Sequence, residues 1–501
     1  MSGNKSQSTI PTLIKDSKEY STSTEKANLI ASNLADSSKS SNYSQAFINH
    51  RGQVENDYII SHPTKNDLNP INESFSINEL ETAIKQSKNK SSPGPDCITY
   101  EMIKHLPAES LKILLELFNK SWDTGSLAAD WKEALVLPLA KYGANPSDPN
   151  SYRPISLTSV LCKILERMIA NRLTWYLEQN NLLNESQSGF RKNRSTIDQL
   201  IRLHDDVNKA IHNKGYTVAV LLDFTKAFDL VWKEGLLHKI RTLGIQGNMH
   251  NWISNFLTER TIRVKVGGNI SDSFTLENGT PQGSVISPLL FLIMINDIPT
   301  VNDNLTKSSL FADDSAIWRS GKNLQQIIKN LQKIMNKICD WSDNWGFKIS
   351  ETKTVAIVFT KKRNSNQIKK LKINDKEIKY EKEAKFLGML FDNKNTWNSH
   401  IKQLVDKCKS RINLLRSVTG HQWGANKKTL LMMYRALIRS RLDYGSQLFH
   451  TASATALKKL DTVQSTCLRI ICGSMRGTAT SSLQQDTGEM PLALRRKELQ
   501  F

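Results

Sequence analysis

Hydrophobic and polar positions alternate along the chain in patterns that predict both strands and helices. Residues 218–222 (VAVLL) are an unbroken apolar run of strand length, as expected of a strand covered on both faces. Residues 308–318 (SSLFADDSAIW) place two acids between short β-forming runs, which predicts a strand–turn–strand hairpin with the acids at its tip. Residues 323–341 repeat apolar side chains at helical spacing and predict the clearest helix of the chain.

The same patterns predict further elements on both sides of these three. Further helices are predicted over residues 23–34, 77–85, 100–105, 111–124, 159–179, 196–214, 230–243, 289–298, 399–418, 426–444 and 454–472. Further strands are predicted over residues 131–138, 261–266, 273–276 and 385–391, and a strand–turn–strand segment over residues 347–359. The helices beyond residue 399 are basic and amphipathic, so they should pack together and expose their charges.

Composition adds a preference for a polyanionic partner. The chain has 501 residues and a formal net charge of +20, a length that allows about three domains. Residues 391–501 contain 18 basic and seven acidic residues, whereas residues 1–70 contain seven of each. A basic surplus concentrated at one end favours nucleic acid ahead of a membrane. Residues 1–70 are rich in Ser, Asn and Lys, which predicts a mostly loose segment.

The cysteines and apolar runs predict an intracellular protein without a membrane partner. The six cysteines are scattered and form no C-x₂-C pair, so neither a zinc site nor a disulfide framework is expected. No apolar segment follows Met1, which argues against a secretory signal. The longest apolar run, residues 289–295, is too short to span a bilayer.

Three acids are candidates for a metal site. Asp313 and Asp314 lie at the predicted hairpin tip, and Asp223 ends the buried strand upstream. Adjacent Asp residues are commonest in exposed turns, but adjacent carboxylates in an apolar setting are costly unless a cation lies between them. Carboxylate oxygens suit Mg²⁺ or Mn²⁺. The three acids therefore predict two divalent ions about 3.5–4 Å apart, an arrangement used in phosphoryl transfer.

Several residues are candidates for binding a nucleotide. Lys141 follows a predicted strand, and Arg153 follows a polar loop after it; a Lys and an Arg so placed can hold a triphosphate, although each alone is a common surface charge. Phe228 lies five residues after Asp223, where a ring would clash with a 2′-OH and favour deoxynucleotides; a core aromatic is the alternative. Gln282 and Gly283 belong to NGTPQGSVISP, a loop that can cradle a nucleotide or template backbone.

Lys353 is a candidate for a different role. It lies at the predicted turn of residues 347–359, where it could protonate a pyrophosphate leaving group, although an exposed turn lysine is the simpler interpretation.

Two basic segments are candidates for binding nucleic-acid phosphates. QSGFRKNRSTI contains Arg191, Lys192 and Arg194 around an aromatic residue, a composition that suits phosphates and stacked bases but also an ordinary surface loop. The basic helices near the C-terminus are expected to expose a larger set: Lys402, Lys407, Lys409, Arg411, Arg435, Arg439 and Arg441.

Eight stretches, in this order, resemble motifs of the reverse transcriptases of non-LTR (LINE-type) retrotransposons, most closely the jockey-like group. They are SSPGPDCITY, LPLAKYGANPSDPNSYRPISL, QSGFRKNRST, LLDFTKAFD, NGTPQGSVISPLLF, LFADDSAI, GFKISETKT and KFLGMLF. The resemblance implies an α+β, right-hand polymerase with an antiparallel palm sheet. It also implies a flexible linker (residues 1–75), fingers (76–215), a palm with interleaved finger elements (216–391) and a basic helical thumb or connection region (392–501).

The implied activity is RNA-directed DNA polymerisation with two Mg²⁺ or Mn²⁺ ions. The implied partners are an RNA template, a DNA primer or target, and dNTPs, acting in the cytoplasm and nucleus. The resemblance carries over metal binding to Asp223, Asp313 and Asp314, and the leaving-group role to Lys353. It carries over nucleotide binding to a second set: Lys141, Arg153, Phe228, Gln282 and Gly283.

Two alternatives to this activity remain, and the chain departs from the family in its length. An RNA-dependent RNA polymerase is disfavoured by Phe228, and a non-catalytic nucleic-acid-binding fragment of a decayed or domesticated element is disfavoured by the intact acids. The family usually carries an N-terminal endonuclease, for which the residues ahead of the fingers are too few, and no room is left for a ribonuclease H domain. We therefore expect a polymerase fragment, with an endonuclease in trans as a further partner.

Overall fold

The computed structural model describes residues 10–60, 69–89, 91–362, 369–420 and 423–500. It divides into two compact units. The first comprises residues 1–190, 224–301 and 337–349, and the second comprises residues 191–223, 302–336 and 350–501. Helices and strands occur in both units, so the chain is of mixed helix-and-sheet class.

The strands of the described residues are short, and most belong to two five-stranded sheets. In chain order they are β1 (Leu13–Lys15), β2 (Lys18–Tyr20), β3 (Glu133–Ala140), β4 (Tyr152–Leu157), β5 (Tyr216–Leu222), β6 (Arg260–Val266), β7 (Asn269–Ile270), β8 (Phe274–Leu276), β9 (Thr306–Phe311), β10 (Asp314–Gly321), β11 (Val355–Phe359), β12 (Lys372–Ile373), β13 (Lys376–Glu377), β14 (Lys379–Glu381), β15 (Glu383–Phe386) and β16 (Met389–Asp392).

Helices make up most of the remaining structure. In chain order they are α1 (Ser23–Ser38), α2 (Gln45–Ile60), α3 (Ile77–Lys85), α4 (Tyr100–Lys104), α5 (Ala108–Thr124), α6 (Ala129–Lys132), α7 (Val160–Gln179), α8 (Thr196–His212), α9 (Lys233–Thr242), α10 (Gly247–Leu257), α11 (Ser287–Ile295), α12 (Leu324–Asn344), α13 (Asn398–Ser417), α14 (Lys427–Tyr434), α15 (Ser440–Asp443), α16 (Ser446–Phe449), α17 (Ala454–Cys472), α18 (Thr480–Thr487) and α19 (Leu492–Glu498). Within the described residues, no helix is long and apolar enough to cross a membrane.

The first unit is built on a sheet with strand order β4-β3-β6-β7, in which β8 also pairs with β6. β3 pairs with β4 in antiparallel and with β6 in parallel orientation. Buried residues occupy every second position in the first half of β3 and along β6, so one face of the sheet is apolar. Val136 and Val264 of that face are buried in one cluster with Ile30 and Ala31 of α1.

The prediction of a flexible segment over residues 1–75 is wrong for its described part. α1 begins with a capping box between Thr22 and Glu25, and its Ala27, Ile30 and Ala31 are almost fully buried. The low hydropathy of this segment is misleading, because small residues are sufficient to bury a helix face against a sheet. The helix itself is confirmed, and it extends four residues beyond the predicted end at residue 34.

The second unit is built on a sheet with strand order β14-β11-β5-β10-β9. β5 is central and antiparallel to both neighbours, and only β11 and β14 run parallel. Thr217 through Leu222 are all buried, which confirms the strand predicted from the unbroken apolar run. The hairpin of β9 and β10 is also confirmed, with Phe311 paired to Asp314 across the turn.

Helices predominate in the C-terminal part of the second unit. α13 buries Ile401, Leu404, Cys408, Ile412 and Leu415, the stripe expected of an amphipathic helix, and it packs on α17. The helix predicted over residues 426–444 is observed as α14 and α15 joined by a π-helical segment, Arg435–Arg439. A π segment of this kind inserts an extra residue into the turn and is not visible in hydrophobic spacing.

One sequence prediction in this region is wrong, and another is incomplete. Residues 385–391 form a hairpin of β15 and β16 and not one strand, because Leu387 (φ 43°) and Gly388 (φ 85°) form a left-handed two-residue turn. Arg435 and Arg439 do not simply line the outside of their helix. Both make ion pairs with the buried Glu489, at 2.6 and 3.0 Å, so they stabilise the fold.

Candidate active site

The three candidate metal-binding acids lie at one end of the second unit's sheet. The ladder between β5 and β10 ends at the pair Leu222–Ser315, so Asp223 and Asp314 are the next residues outward on neighbouring strands. Asp313 occupies the two-residue turn between β9 and β10 with Ala312. Ala312 has φ 56°, a left-handed backbone conformation that is uncommon for residues with a Cβ and that closes this tight turn.

The electrostatics of the three acids show that they interact. Removal from water, followed by the negative charges of Asp313 and Asp223, raises the pKa of Asp314 above its ordinary value. The nearby Lys385 acts in the opposite direction. Because the charges of Asp313 and Asp223 disfavour ionisation of Asp314, a cation bound beside Asp314 would offset that repulsion.

Residues 350–354 hold the main chain of Asp223 in place. The amide of Asp223 donates to Thr354 Oγ1 at 3.3 Å, and its carbonyl accepts from the amide of Ser350 at 2.8 Å. Lys353 lies in the same turn, and its Nζ is 3.5 Å from Asp223 Oδ1. Ser350 and Thr354 were not predicted as site residues; their only signal is the hydroxyl pair that flanks the predicted turn.

The donor set fits a divalent cation. Asp223 Oδ1 is buried and accepts no hydrogen bond from a described residue, and its ion-pair partner Lys353 is itself largely exposed. Three carboxylates with such an atom among them suit Mg²⁺ or Mn²⁺. As they stand, no three His, Cys, Asp or Glu side chains within the described ranges are close enough together to hold a metal ion.

The first unit contains the candidate nucleotide-binding residues. Lys141 directly follows β3, and Arg153 lies on the adjacent strand β4, paired with Leu139. Both side chains are exposed. The Nζ of Lys141 donates to the carbonyl of Asn150 at 2.7 Å, within the polar loop that joins the two strands. The structure therefore brings these two basic residues together at one end of the β3–β4 hairpin.

Phe228, Gln282 and Gly283 are also brought together. The ring of Phe228 stacks on Phe291 of α11, with centroids 4.2 Å apart, and its carbonyl accepts from the amide of Thr280. Gln282 Nε2 donates to Asp229 Oδ1 at 2.9 Å, and burial raises the pKa of that aspartate.

Gly283 has a steric reason to be glycine. Its φ is 125°, and a Cβ at this position would collide with the carbonyl oxygen of Ser156 on β4. The amide of Ser156 donates in turn to the carbonyl of Gln282 at 2.9 Å. The loop is therefore held directly against the strand that contains Arg153.

Glu166 of α7 is a positioning residue that the sequence analysis missed. It is fully buried, and its Oε2 accepts from Ser284 Oγ at 2.5 Å and from the amides of Val285 and Ile286 at 2.6 and 3.3 Å. The carboxylate thus fixes the segment between Gly283 and α11. Its only sequence signal is an acid at an otherwise apolar position of an amphipathic helix.

Glu166→Ala is expected to destabilise the protein by about 2–3 kcal/mol, because it leaves a buried hydroxyl and two amides without their charged acceptor. Thermal unfolding of this variant should be compared with that of Glu116→Ala, an exposed acid on α5. Equal melting temperatures for the two variants would contradict the positioning role.

The candidate phosphate-binding residues lie on two elements of the second unit. Arg191, Lys192 and Arg194 precede α8, which begins with a capping box between Ser195 and Asp198. A second group follows the outer side of α13, where Lys402 and Lys409 are exposed and Arg411 is half-buried. Lys409 is 2.7 Å from Asp406, an exposed pair of little energetic weight.

The sequence of this chain is similar to those of known proteins. A family profile described as "Reverse transcriptase (RNA-dependent DNA polymerase)" matches residues 141–391, half of the chain. The chain belongs to the reverse transcriptase family. The matched residues extend from Lys141 to Phe391 and include Asp223, Asp313 and Asp314.

Relatives of this reverse transcriptase chain come from mobile elements. It is 30% identical over 471 residues to the "RNA-directed DNA polymerase from mobile element jockey" of Drosophila melanogaster, covering 93% of this chain and 50% of that protein. It is 29% identical to the "Probable RNA-directed DNA polymerase from transposon BS" of the same species, covering 79% of this chain and 44% of that protein.

A more distant relative is the "Retrovirus-related Pol polyprotein from type-1 retrotransposable element R1" of Bradysia coprophila. It is 25% identical to this chain, covering 84% of this chain and 42% of that protein. The resemblance to non-LTR retrotransposon reverse transcriptases is confirmed, and the chain spans about half the length of these relatives or less.

Proposed function

We propose that the chain is an RNA-directed DNA polymerase that extends a primer 3′-OH with dNTPs on an RNA template. The observation that carries the proposal is the placement of Asp223, Asp313 and Asp314 at one end of a sheet, in a chain of the reverse transcriptase family. A polymerase of this kind acts inside the cell, on RNA and on a DNA primer or target in the cytoplasm and nucleus. An endonuclease acting in trans would supply the nicked target.

In the proposed reaction, the three acids would hold two divalent ions, whose charge would favour the attacking 3′-oxygen and the leaving pyrophosphate. The hydrogen-bonded main chain of Asp223 would keep the carboxylate of this residue at one position in the site. Lys353, already paired with Asp223, is suited to donate a proton to the leaving group. Lys141 and Arg153 are suited to bind the triphosphate, one as a point charge and the other as a planar fork.

We also propose the right-hand division of the chain: fingers over residues 76–215, palm over 216–391 and a thumb or connection region over 392–501. The central antiparallel strands β5, β10 and β9 support the palm assignment. Residues 392–501 fold, in their described part, into helices α13–α19, which supports the thumb assignment. The two compact units interleave in sequence and do not correspond to these three regions.

Primer extension with the full chain tests the activity. An RNA template with an annealed DNA primer is incubated with Mg²⁺ and either dNTPs or rNTPs, and a parallel reaction contains EDTA. Extension with dNTPs that EDTA abolishes is expected. Salt-sensitive binding of the template–primer without any extension would overturn the proposal and favour a non-catalytic nucleic-acid-binding fragment.

Binding of the RNA–DNA hybrid should depend steeply on salt through the outer face of α13. The triple variant Lys402→Gln, Lys409→Gln, Arg411→Gln is expected to reduce the slope of log K against log salt by about 2–3, because three phosphate contacts are lost. The slope is measured by fluorescence anisotropy over a series of salt concentrations.

A control triple variant removes the same charge elsewhere in the second unit: Lys322→Gln, Lys329→Gln, Lys333→Gln. All three lysines are exposed. Equal slopes for the two triple variants would show that only net charge matters and that α13 makes no specific phosphate contacts.

A further inference from the structure

A basic groove lies between the C-terminal ends of α13 and α17 in the second unit. It has a volume of about 670 Å³, within the range of ligand-binding clefts. Three arginines line it: Arg416 of α13, Arg469 of α17 and Arg476 beyond α17. None of the described residues that line it is acidic, so the groove attracts anions.

The guanidinium of Arg469 is only weakly hydrogen-bonded within the protein. Its Nη2 donates to the carbonyl of Thr478 at 3.4 Å, and its Nε is buried without a hydrogen-bond partner. A phosphate in the groove would accept stronger, charge-assisted hydrogen bonds from the Nη atoms of this side chain. The remaining charge of Arg469 is not neutralised by any ion pair with a described residue.

The basic surface continues from the groove along both helices. A second cavity shares Arg416 and Thr466 with the groove and adds Lys409 of α13 and Lys459 of α17. At a rise of about 1.5 Å per residue, the cations extend over about 10 Å of α13 and about 15 Å of α17. This length suits several successive phosphates of an extended strand and exceeds what one free anion needs.

An exposed aromatic side chain lies beside the groove. Trp423 is 68% exposed, although tryptophan is a residue that proteins usually cover. A β-bridge joins Thr419, just beyond the end of α13, to Gly424, the residue that follows Trp423. The ring lies next to Gly420, which lines the groove: a Cβ on Gly420 would be 3.2 Å from Trp423 Nε1.

From this combination we infer a binding site for a single-stranded nucleic acid, separate from the carboxylate site. Arg416, Arg469 and Arg476 bind phosphates of the strand, and an unpaired base stacks on Trp423. A base inside a duplex is covered on both faces by its neighbours and cannot stack on Trp423, so the strand that reaches this ring is single-stranded. RNA and DNA share the phosphate and base chemistry that the site recognises.

The test measures binding of fluorescein-labelled ten-nucleotide single strands, one of RNA and one of DNA, to the full chain in EDTA. Trp423→Ala is expected to weaken binding about tenfold, the loss of one stacked base. Arg469→Gln is expected to weaken binding by a similar factor. Matched controls are Trp175→Ala, which removes another exposed tryptophan, and Lys333→Gln, which removes another exposed charge.

Two further ligands, a single strand with abasic positions and a blunt duplex, test whether the site requires an unpaired base. The affinity for a single strand with abasic positions should no longer depend on Trp423 but should still depend on Arg469. Of RNA and DNA, the one whose binding the substitutions weaken more is the natural ligand. The inference is overturned if the variants bind single strands like their controls, or if Trp423→Ala weakens binding of a blunt duplex equally. Because the assay involves no extension, its failure would leave the polymerase proposal untouched.

Discussion

Asp313→Asn is expected to reduce RNA-templated extension by at least about 10³-fold, equivalent to about 4 kcal/mol of transition-state stabilisation. The amide keeps the size of the side chain but loses the charge that a divalent ion requires. Asp313 is exposed in a two-residue turn, so the substitution should leave the fold intact. Single-turnover extension rates measure the loss, and thermal unfolding verifies the fold.

The matched control for this variant is Asp375→Asn. Asp375 is also an exposed aspartate in a two-residue hairpin turn, between β12 and β13. The Asp375→Asn protein should extend primers at the wild-type rate. An Asp313→Asn protein that also does so would refute the metal-binding assignment of the hairpin tip.

Phe228→Ala is expected to raise the use of ribonucleotides relative to deoxyribonucleotides on the order of 10²-fold, the discrimination that a close steric contact can supply. The stack on Phe291 and the bond between its carbonyl and the amide of Thr280 fix the ring in position. A fixed ring can exclude a 2′-OH, whereas a mobile one would move aside. The ratio of kcat/KM for rNTP and dNTP measures the change.

The alternative role of Phe228 is packing, and Phe291→Leu separates the two roles. This variant removes the same ring–ring contact from the opposite side, so it should lose comparable stability. It should not change the choice between the two sugars as strongly as Phe228→Ala. If both variants reject ribonucleotides as the wild type does, Phe228 is a core residue and the steric argument is wrong.

Local patterns were sufficient to predict the elements that carry the acids. The strand ending at Leu222 is an unbroken apolar run of strand length, and the hairpin around Asp313 has β-forming runs on both sides of its acids. Failures occur where a single residue changes the local geometry. Gly388 in KFLGMLF is the second residue of a left-handed turn, and treating it as a strand residue joined two strands into one.

Contacts between distant segments were not predictable from local patterns. Arg435 and Arg439 have the spacing of an exposed basic stripe, but Glu489, about 50 residues on, neutralises them. Likewise, nothing near Glu166 indicates that its carboxylate binds the segment before α11. The roles of the candidate site residues remain predictions. Each role depends on a bound metal ion, nucleotide or nucleic acid that would contact several segments of the chain at once.

The main chain around the three acids is held unequally. Both polar groups of the Asp223 backbone are bonded to residues 350–354, whereas Asp313 lies in a two-residue turn at the edge of the ladder. In hydrogen–deuterium exchange, the Asp223 amide should therefore open only with the sheet, and the Asp313 amide should exchange by local fluctuation. When a cation binds, the hairpin turn that contains Asp313 would then move more than Asp223 does. Slower hydrogen–deuterium exchange of the turn amides in the presence of the cation would show this.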